Sequence, residues 1–272
     1  MDTSSSHFNS KNYWDKRLIT NYNLGGVGYY GLGKCFNYWM YYIRKYIFIK
    51  NIRTIILHFN DISVLDIGSG TGFYISLWKQ LGVKRIIAID FSETATKNLK
   101  QQFPAVDVHC KDISDEITFD EKYDIISGFD VFFHIVEGNK FKQAINNVSK
   151  QLKPEGYFIL SDNFIHIENN RKSTHHINRT LKDYKNILED NGFRIIRRVP
   201  MFCIMNEPVD TKSKILKIYW KMILRIVPRN NTLGCLIGML LLPFELFILQ
   251  FLKEGPSTEL MICRKIDIPN GT

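Results

Sequence analysis

A glycine-rich turn is the stretch of this chain whose residue types most clearly predict chemistry. Its sequence, at residues 64–72, is Val-Leu-Asp-Ile-Gly-Ser-Gly-Thr-Gly. Helix-compatible residues follow from Phe73, so the pattern indicates a strand, a tight turn and the start of a helix. Glycine lets a backbone turn sharply and lets a ligand approach it, and the first N–H groups of a helix are free to bind. The turn therefore predicts a site for a nucleotide-like molecule at the end of a parallel strand.

The residues that must position this turn alternate between predicted strands and helices. Apolar strands are predicted at 64–66, 85–90, 106–110, 123–127 and 157–161, and helices at 72–81, 92–103, 140–152 and 179–192. A sixth strand is predicted at 193–202 and a last strand at 258–265. Near-continuous apolar strands separated by helices are typical of a parallel sheet that is covered on both faces. The predicted fold class is therefore α/β.

Several stretches resemble, in order, the motifs of one enzyme family. A dinucleotide site would have its third glycine where Phe73 stands. The run at 64–72 instead closely resembles the first motif of the class I S-adenosylmethionine (SAM) methyltransferases. Residues 123–130 resemble their fourth motif, and 152–157 resemble the turn before their fifth strand, with Glu155 in place of its second glycine. The resemblance implies a seven-stranded, mostly parallel Rossmann-like sheet with an antiparallel last strand, and SAM as the cofactor.

The same resemblance implies which residues bind SAM. Asp90 ends the second strand, where an acidic side chain binds ribose hydroxyls. Asp112 and Ile113 follow the third strand, where these enzymes contact adenine. Tyr13 and Trp14 lie on a predicted N-terminal helix, which in this class often closes over the cofactor. The predicted cofactor-binding residues are Tyr13, Trp14, Asp66, Gly68, Ser69, Gly70, Gly72, Asp90, Phe91, Asp112, Ile113 and Phe129.

Titratable residues beyond strands four and five are the candidates for acceptor chemistry, because the resemblance places the substrate there. His134 follows strand four and could take a proton from a hydroxyl, or it could only shape the pocket. Asp162, directly after strand five, could orient a hydroxyl or pair with His134 or His166. Otherwise Asp162 and His166 are plain loop residues. His176 and Arg179 would share a helix face if the next helix starts early. Arg179 could then grip an anionic group or simply cap the helix.

Residues 212–254 form a predicted helical insertion of unusual composition. It begins as a basic amphipathic helix with Ile215, Ile218, Tyr219, Met222 and Ile226 on one side and Lys214, Lys217, Lys221 and Arg225 on another. Residues 233–252 are strongly apolar and about as long as a membrane span. We expect them not to span, because Pro243, Glu245 and Gln250 interrupt them and a sheet strand follows. Two interpretations stay open: helices lying in a membrane interface, or a lid or dimer interface over the active site.

Composition bounds the remaining questions. The 272 residues divide into an N-terminal helical cap at 1–58, a SAM-binding core at 59–211, the insertion at 212–254 and the last strand with its tail at 255–272. The formal net charge of +9 favours an anionic partner. Five scattered cysteines without a CxxC pair indicate neither a metal site nor a disulfide framework, which favours a reducing cytosol.

These patterns together predict an enzyme, a SAM-dependent methyltransferase, that acts on a small molecule with anionic or amphiphilic character. Oxygen is the favoured acceptor atom because His134 and Asp162 offer base chemistry, and a sugar, a lipid-linked molecule or a natural-product intermediate would fit. A nucleic-acid methyltransferase is the main rival, disfavoured because strand four lacks an Asn/Asp-Pro-Pro-Tyr/Phe motif. A non-catalytic SAM-binding or membrane-associated scaffold is the other alternative. The expected location is the cytoplasm, with peripheral membrane contact and a homodimer both open.

Overall fold

The computed structural model describes residues 10–116, 121–166 and 176–266 of the chain. Residues 1–9 of the predicted cap and 267–272 of the predicted tail lie outside the described residues. The strands are β1 Ser63–Ile67, β2 Arg85–Asp90, β3 Asp107–Cys110, β4 Tyr123–Phe129, β5 Leu152–Asp162, β6 Phe193–Pro200 and β7 Glu259–Lys265. The helices are α1 Ser10–Thr20, α2 Leu24–Val27, α3 Gly33–Ile52, α4 Phe73–Leu81, α5 Glu93–Gln102, α6 Gly138–Gln151, α7 Leu181–Asp190, α8 Lys214–Ile226 and α9 Asn231–Ile248.

The seven strands form one sheet in the order β3-β2-β1-β4-β5-β7-β6. Strands β1 to β5 pair in parallel, while β7 lies antiparallel between β5 and β6. This confirms the predicted fold class, including the antiparallel last strand. The strand order reverses between β1 and β4, so the carboxyl ends of these strands open a crevice of the kind in which α/β proteins bind ligands.

Two apolar clusters cover the two faces of the sheet. One brings Phe48 of α3 and Trp78 of α4 onto the sheet, and the other brings Phe141 of α6 and Tyr184 of α7. Alternate residues of a strand point to opposite faces, so both sets of side chains in each strand meet a helix layer. Every residue of β1 is accordingly buried. This is the physical reason for the uninterrupted apolar strands in the sequence.

The structure moves several predicted boundaries. Residues 23–33, whose glycines predict a loop, hold the short helix α2 and a 3-10 turn at Tyr30–Leu32. Strand β5 begins at Leu152, and the predicted turn at 153–156 is a bulge within it. Helix α7 starts at Leu181, after its N-cap Thr180, so the early helix start that would place His176 and Arg179 on one helix face does not occur. A capping box between Thr180 and Asp183 satisfies the first N–H groups of α7 and fixes that start.

The predicted insertion consists of two helices, α8 and α9, joined by a 3-10 turn at Val227–Arg229. Helix α9 lies along α3, and the contact is close because a glycine faces an indole. A Cβ atom at Gly238 would stand 2.4 Å from Cδ1 of Trp39. The Trp39 indole N–H also donates a hydrogen bond to the carbonyl oxygen of Cys235, at 3.0 Å. The insertion is therefore packed against the N-terminal cap.

Candidate active site

A cleft of about 740 Å³ opens at the carboxyl ends of the parallel strands, on the side where the strand order reverses. That volume lies within the range of small-molecule sites. Its lining includes ten of the residues that the sequence predicts for the site, namely Trp14, Gly68, Ser69, Gly70, Asp90, Phe91, Asp112, Ile113, Phe129 and His134. The turn after β1 is thus brought together with the ends of β2, β3 and β4.

The glycine turn has a backbone that only glycine adopts without strain. Gly68 and Gly70 have φ angles of +64° and +52°. A Cβ atom at Gly68 would lie 2.4 Å from Cγ2 of Val131, so a side chain would also clash with the residue that follows β4. The Gly68 N–H donates to the carbonyl oxygen of Ile89 at 2.8 Å, which ties the turn to β2. The turn therefore presents its backbone to the cleft.

Asp90 ends β2 at the edge of the cleft and is held by two backbone donors. Its Oδ1 accepts from the N–H of Ser92 at 2.9 Å, and its Oδ2 accepts from the N–H of Gly70 at 2.8 Å. Burial raises the pKa of Asp90 to about 6, against the lowering effect of those two bonds. Each carboxylate oxygen can accept one more hydrogen bond, so Asp90 suits a ligand with two adjacent hydroxyls.

The far end of the cleft is shaped by the turn after β3. Asp112 accepts hydrogen bonds from both the N–H and the hydroxyl of Ser114, each at 2.8 Å, so its carboxylate fixes the turn. The amide of Asn147 donates to the carbonyl oxygen of Ile113 at 2.8 Å from behind. The Ile113 side chain is buried and lines the cleft. An apolar surface held between polar anchors suits the flat face of a base.

Comparisons with known proteins agree with this geometry. Residues 65–160 match the family model described as a methyltransferase domain. A ribosomal protein L11 methyltransferase of Staphylococcus haemolyticus is 31% identical over 140 residues, which are 49% of this chain and 42% of that protein. A malonyl-[acyl-carrier protein] O-methyltransferase of Buchnera aphidicola is 28% identical over 150 residues, which are 53% of this chain and 55% of that protein. The chain thus spans about half the length of these curated relatives.

Residues 65–160 form a class I SAM-dependent methyltransferase domain. The fold extends the likeness beyond that range. The magnesium protoporphyrin IX methyltransferase of Synechocystis, solved with bound SAM, superposes with a TM-score of 0.57 over 96% of this chain and 100% of that one. The two share 13% sequence identity, so this likeness concerns the fold. The predicted family and the predicted cofactor, SAM, are confirmed.

The methyltransferase domain has a donor set that fits SAM. The cleft offers a carboxylate for the ribose hydroxyls, an apolar wall for adenine and open backbone at the glycine turn. The hydroxyl of Thr71 also lines the cleft at the start of α4, and it is buried without a hydrogen-bond partner among the described residues. A buried hydroxyl without a partner costs free energy, which a polar group of the ligand would recover. Thr71 is absent from the predicted set. With it, five consecutive residues of the motif, 67–71, line the cleft.

Three predicted cofactor-binding residues do not line the cleft of the methyltransferase domain. Asp66 is buried beneath the turn, where it accepts from the hydroxyls of Ser127 and Ser69 at 2.7 and 2.8 Å, and burial raises its pKa to about 6. A Cβ atom at Gly72 would lie 2.2 Å from the Phe103 ring, so this glycine allows α4 and α5 to pack closely. The hydroxyl of Tyr13 accepts from Arg17, on the same helix. Their place is to support the site.

The N-terminal cap closes one side of the cleft. Trp14 lines it and meets the ring of His134 edge-on, with ring centroids 5.0 Å apart. Asp15 of the same helix accepts from the hydroxyl of Ser92 and from the N–H of Thr94, at the start of α5. A carboxylate at a helix N-terminus is favoured by the helix dipole as well as by these bonds. The contact holds α1 against the methyltransferase domain.

We call the part of the cleft beyond β4 the acceptor end, because the family resemblance places the acceptor there. Three of its lining residues are outside the predicted set. Tyr41 of α3, Tyr74 of α4 and Asp130 after β4 all line it. Asp130 has a φ of +57°, and its Oδ2 lies 2.6 Å from the guanidinium of Arg44, which is buried. Ser161 donates to Oδ1 of Asp130 at 2.8 Å. No local pattern singles out this pair, since Lys45, the neighbouring basic residue of α3, is exposed whereas Arg44 is buried.

Arg44 and Asp130 form the polar floor of this acceptor end. Burial disfavours the charge of Arg44, but Asp130 together with the hydroxyls of Tyr74 and Tyr41 more than offsets this effect, so the pKa of Arg44 is raised. Burial raises the pKa of Tyr41 to about 12 and that of Tyr74 further. Both phenols therefore stay protonated at neutral pH. Tyr74 also stacks on Phe129, with ring centroids 3.6 Å apart, so the walls around this floor are aromatic.

Of the five predicted catalytic residues, His134 lines the cleft. Asp162 is fully buried, where it accepts from the hydroxyl of Tyr184 and from the N–H of Asn163, and it pairs with neither predicted histidine. Burial raises the pKa of Asp162 to about 7. His166 lies outside the cleft lining and pairs with Asp210, with Nδ1 and Oδ2 2.7 Å apart. The structure therefore brings neither Asp162 nor His166 to the reacting end.

Arg179 and His176 lie in the segment that precedes α7, outside the cleft lining. The Arg179 guanidinium donates to the carbonyl oxygens of Phe132 and Ile135 and lies 3.7 Å from the centroid of the Phe141 ring. This arrangement supports the turn that carries His134. It also occupies the guanidinium of Arg179, which would otherwise be available to an anionic substrate. The His176 ring stands 6.2 Å from the ring of Phe133. The geometry thus gives Arg179 a positioning role rather than the predicted grip on an anion.

Proposed function

We propose that the protein transfers the methyl group of SAM to a hydroxyl oxygen of a small, amphiphilic acceptor. The observation that carries this proposal is the position of His134, an imidazole that lines the cleft beside Trp14. SAM supplies a methyl group on a sulfonium centre, which is already a good leaving group. The protein has to hold the acceptor in line and, for a hydroxyl, to take its proton.

The walls of the acceptor end support an acceptor with an apolar or aromatic part. Tyr41, Tyr74 and Phe129 line the cleft, and the two phenols are protonated at neutral pH. The charge of Asp130 is compensated by Arg44. A polar head and a flat or apolar body would satisfy this lining, because aromatic faces pack on apolar surface while the hydroxyls donate to an oxygen.

Lysines at the edge of the cleft support a negative charge on the same acceptor. Lys11, Lys111 and Lys140 all line the cleft. Lys11 is bridged to Glu93 and Lys140 lies 3.9 Å from Glu137, so part of this charge is compensated. A lysine at an open rim draws an anionic group toward the cleft without holding it rigidly. These lysines would therefore recognise the anionic group that the net charge of the chain leads us to expect on the acceptor.

His134 is the proposed general base. Its imidazole accepts the hydroxyl proton while Trp14 limits its motion on one side. We expect His134→Gln to lower kcat by roughly 10²–10⁴-fold and to leave SAM affinity within about twofold of the wild type. Exposed His58, in the segment between α3 and β1, gives a matched control in His58→Gln, which keeps full turnover.

The acceptor is found with methyl-labelled SAM and an extract of the source cells, followed by identification of the labelled product. Label in a small molecule, lost with His134→Gln, is the expected result. Label recovered in RNA or in a protein would overturn the small-molecule acceptor and keep the methyltransferase. SAM binding without turnover on any fraction would favour the scaffold alternative, and an unchanged kcat in His134→Gln would remove the general base.

A further inference from the structure

The outward side of α9 is an exposed apolar stripe. Its members recur every three or four positions and so lie along one side of the helix and the turn that follows it. They are Leu233, Leu236, Leu240, Phe244, Phe247 and Phe251, each between 36% and 71% exposed. Monomeric proteins rarely leave so many large apolar side chains together in water. We call this set the apolar stripe.

Aromatic side chains border the apolar stripe. The rings of Tyr38 and Tyr42 contact Trp39, which is itself wedged against α9 at Gly238. Both tyrosines are exposed, so α3 places a tyrosine border next to α9. Helix α8, which the 3-10 turn at Val227–Arg229 joins to α9, exposes Ile218 and Met222. Exposed tyrosines beside an apolar surface are typical of the level where a bilayer meets water.

The exposed charges of α3, α8 and α9 are all positive. Helix α8 exposes Lys214, Lys217, Lys221 and Arg225. The sequences of α3, α8 and α9 contain one acidic residue, Glu245. Its side chain is fully buried. Glu254, three residues after Phe251, is exposed but paired with Arg198. Helices with apolar and basic side chains and no exposed carboxylate match a layer of anionic lipid headgroups.

Two contacts hold α9 flat against the protein. The Glu245 carboxylate accepts from the backbone N–H groups of Cys203, Ile204 and Met205, and Oδ1 of Asn231 accepts from the N–H of Cys35 at 3.0 Å. Among the described residues, α9 is the one helix long and apolar enough to cross a membrane. Crossing would break both contacts and expose the Glu245 carboxylate to lipid, so the helix suits the plane of the interface instead.

We propose that the apolar stripe docks the protein on an anionic lipid membrane, with α9 in the plane of the interface and α8 contributing its cations. A second copy of the chain is a poorer partner for this surface. A symmetric dimer would place the same patch on both sides of its interface. The three helices of this patch carry cations but no exposed carboxylate that could pair with them.

The test is co-sedimentation with vesicles of phosphatidylglycerol and phosphatidylcholine, compared with vesicles of phosphatidylcholine alone, at low salt. We expect the wild type to bind the anionic vesicles and to bind the neutral ones at least about tenfold less. Phe244→Ser/Phe247→Ser/Phe251→Ser should lose at least about tenfold of the binding. Ile19→Ser/Leu57→Ser, which removes side chains 72% and 85% exposed elsewhere, is the matched control and should bind like the wild type.

A charge-reversal pair tests the cations separately. Lys217→Glu/Lys221→Glu should lose binding, while Lys97→Glu/Lys100→Glu on α5, equally exposed, should retain most of it. SAM affinity, measured on every variant, reports that each is folded and keeps this test independent of the acceptor. Absence of binding to anionic vesicles overturns the proposal, as does binding that survives the triple substitution. A dimer in solution that the triple substitution dissociates, with no vesicle binding, would show that a second copy covers the stripe.

Discussion

Two buried carboxylates at the glycine turn have different tasks although their environments are alike. Burial raises the pKa of both Asp66 and Asp90 to about 6. The carboxylate of Asp66 accepts hydrogen bonds from the hydroxyls of Ser127 and Ser69 beneath the turn. Asp90 lines the cleft and accepts from backbone N–H groups, which leaves it able to accept from a ligand. The difference decides which of the two should couple SAM binding to pH.

Asp90→Asn should weaken SAM binding by roughly 10-fold to 150-fold, because it replaces charge-assisted hydrogen bonds. In the wild type, ribose hydroxyls donate to the carboxylate form, so binding favours loss of the proton. Affinity should therefore be constant well above pH 6 and fall about tenfold per unit of pH below it. Titration calorimetry at about pH 5 and about pH 8 measures both effects. Asp190→Asn, on the exposed end of α7, is the control, and an equal pH dependence in Asp90→Asn would contradict the assignment.

Asp162 gives a second prediction at the scale of one residue, since its pKa of about 7 reflects burial beside Tyr184. The folded protein then holds a proton that the unfolded chain releases near pH 4. The stabilising contribution is present below about pH 4 and is lost as the pH rises through about 7. At about pH 8 the buried carboxylate is a cost that Asp162→Asn removes.

We therefore expect Asp162→Asn to raise the melting temperature at about pH 8 by a few degrees, roughly 2–4 °C for each kcal/mol gained, and to change it little at about pH 4. Calorimetric unfolding at the two pH values measures the difference. Turnover should stay within about twofold of the wild type. A large loss of kcat with unchanged stability would return Asp162 to the catalytic set.

At the scale of elements, α9 is held to the protein by a side chain that the sequence presents as an interruption. Glu245 lies on the buried side of an otherwise apolar helix, and its carboxylate caps three consecutive backbone N–H groups at 203–205. Those groups follow β6 and have no strand to pair with. Burial raises the pKa of Glu245, while the three hydrogen bonds act to lower it. One side chain thus joins the insertion to the edge of the sheet.

Glu245→Ala should lower the free energy of unfolding by about 3 kcal/mol, because it leaves three backbone donors, one buried and two half-buried, without their acceptor. For a chain of this size that corresponds to roughly 6–12 °C in melting temperature. Glu245→Gln keeps one acceptor oxygen and should lose clearly less. Thermal unfolding of both variants at neutral pH makes the comparison. Equal stability of Glu245→Ala and the wild type would mean that water replaces the carboxylate and that α9 is held by α3 alone.

At the scale of the whole molecule, the cap and the methyltransferase domain meet at the glycine turn. The hydroxyl of Tyr22, after α1, donates to the carbonyl oxygen of Gly70 at 3.2 Å. A Cβ atom at Gly70 would lie 3.2 Å from Cγ1 of Val27, so α2 also packs on the turn. Asp15 binds the start of α5 from the same side. A ligand that orders the turn should therefore order the cap.

Hydrogen exchange measures this coupling. Saturating SAM should slow exchange in α1 and in the turn after β1 by at least about tenfold, and exchange in α7, which contacts neither, by much less. Asp15→Ala removes the bonds to Ser92 and Thr94, so it should reduce the protection of α1 while the turn stays protected. Protection confined to the turn in the wild type would show that the cap is energetically independent of the cofactor.

The sequence by itself determined the sheet and the cofactor end of the cleft. Strands that are covered on both faces are apolar along their length, and a glycine turn between a strand and a helix is typical of a nucleotide site. Both features depend on residues that are close together in the sequence, so the sequence alone predicts them. Capping is also local: Ser92, the N-cap of α5, accepts from the N–H of Ala95 and is of a residue type that favours this position. The segment boundaries of the cap, core and insertion stay predictions at the same level.

Only the tertiary structure decided the acceptor end and the use of the insertion. Arg44 and Asp130 are far apart along the chain, and their ion pair exists because α3 lies over the end of β4. Asp162, polar and placed after a strand like Asp90, is buried because Tyr184 covers it. In α8, periodicity alone cannot tell which apolar side meets the core, and Trp220 is buried while Ile218 is exposed. Local patterns fix what a segment can be, whereas burial depends on what the rest of the chain brings to it.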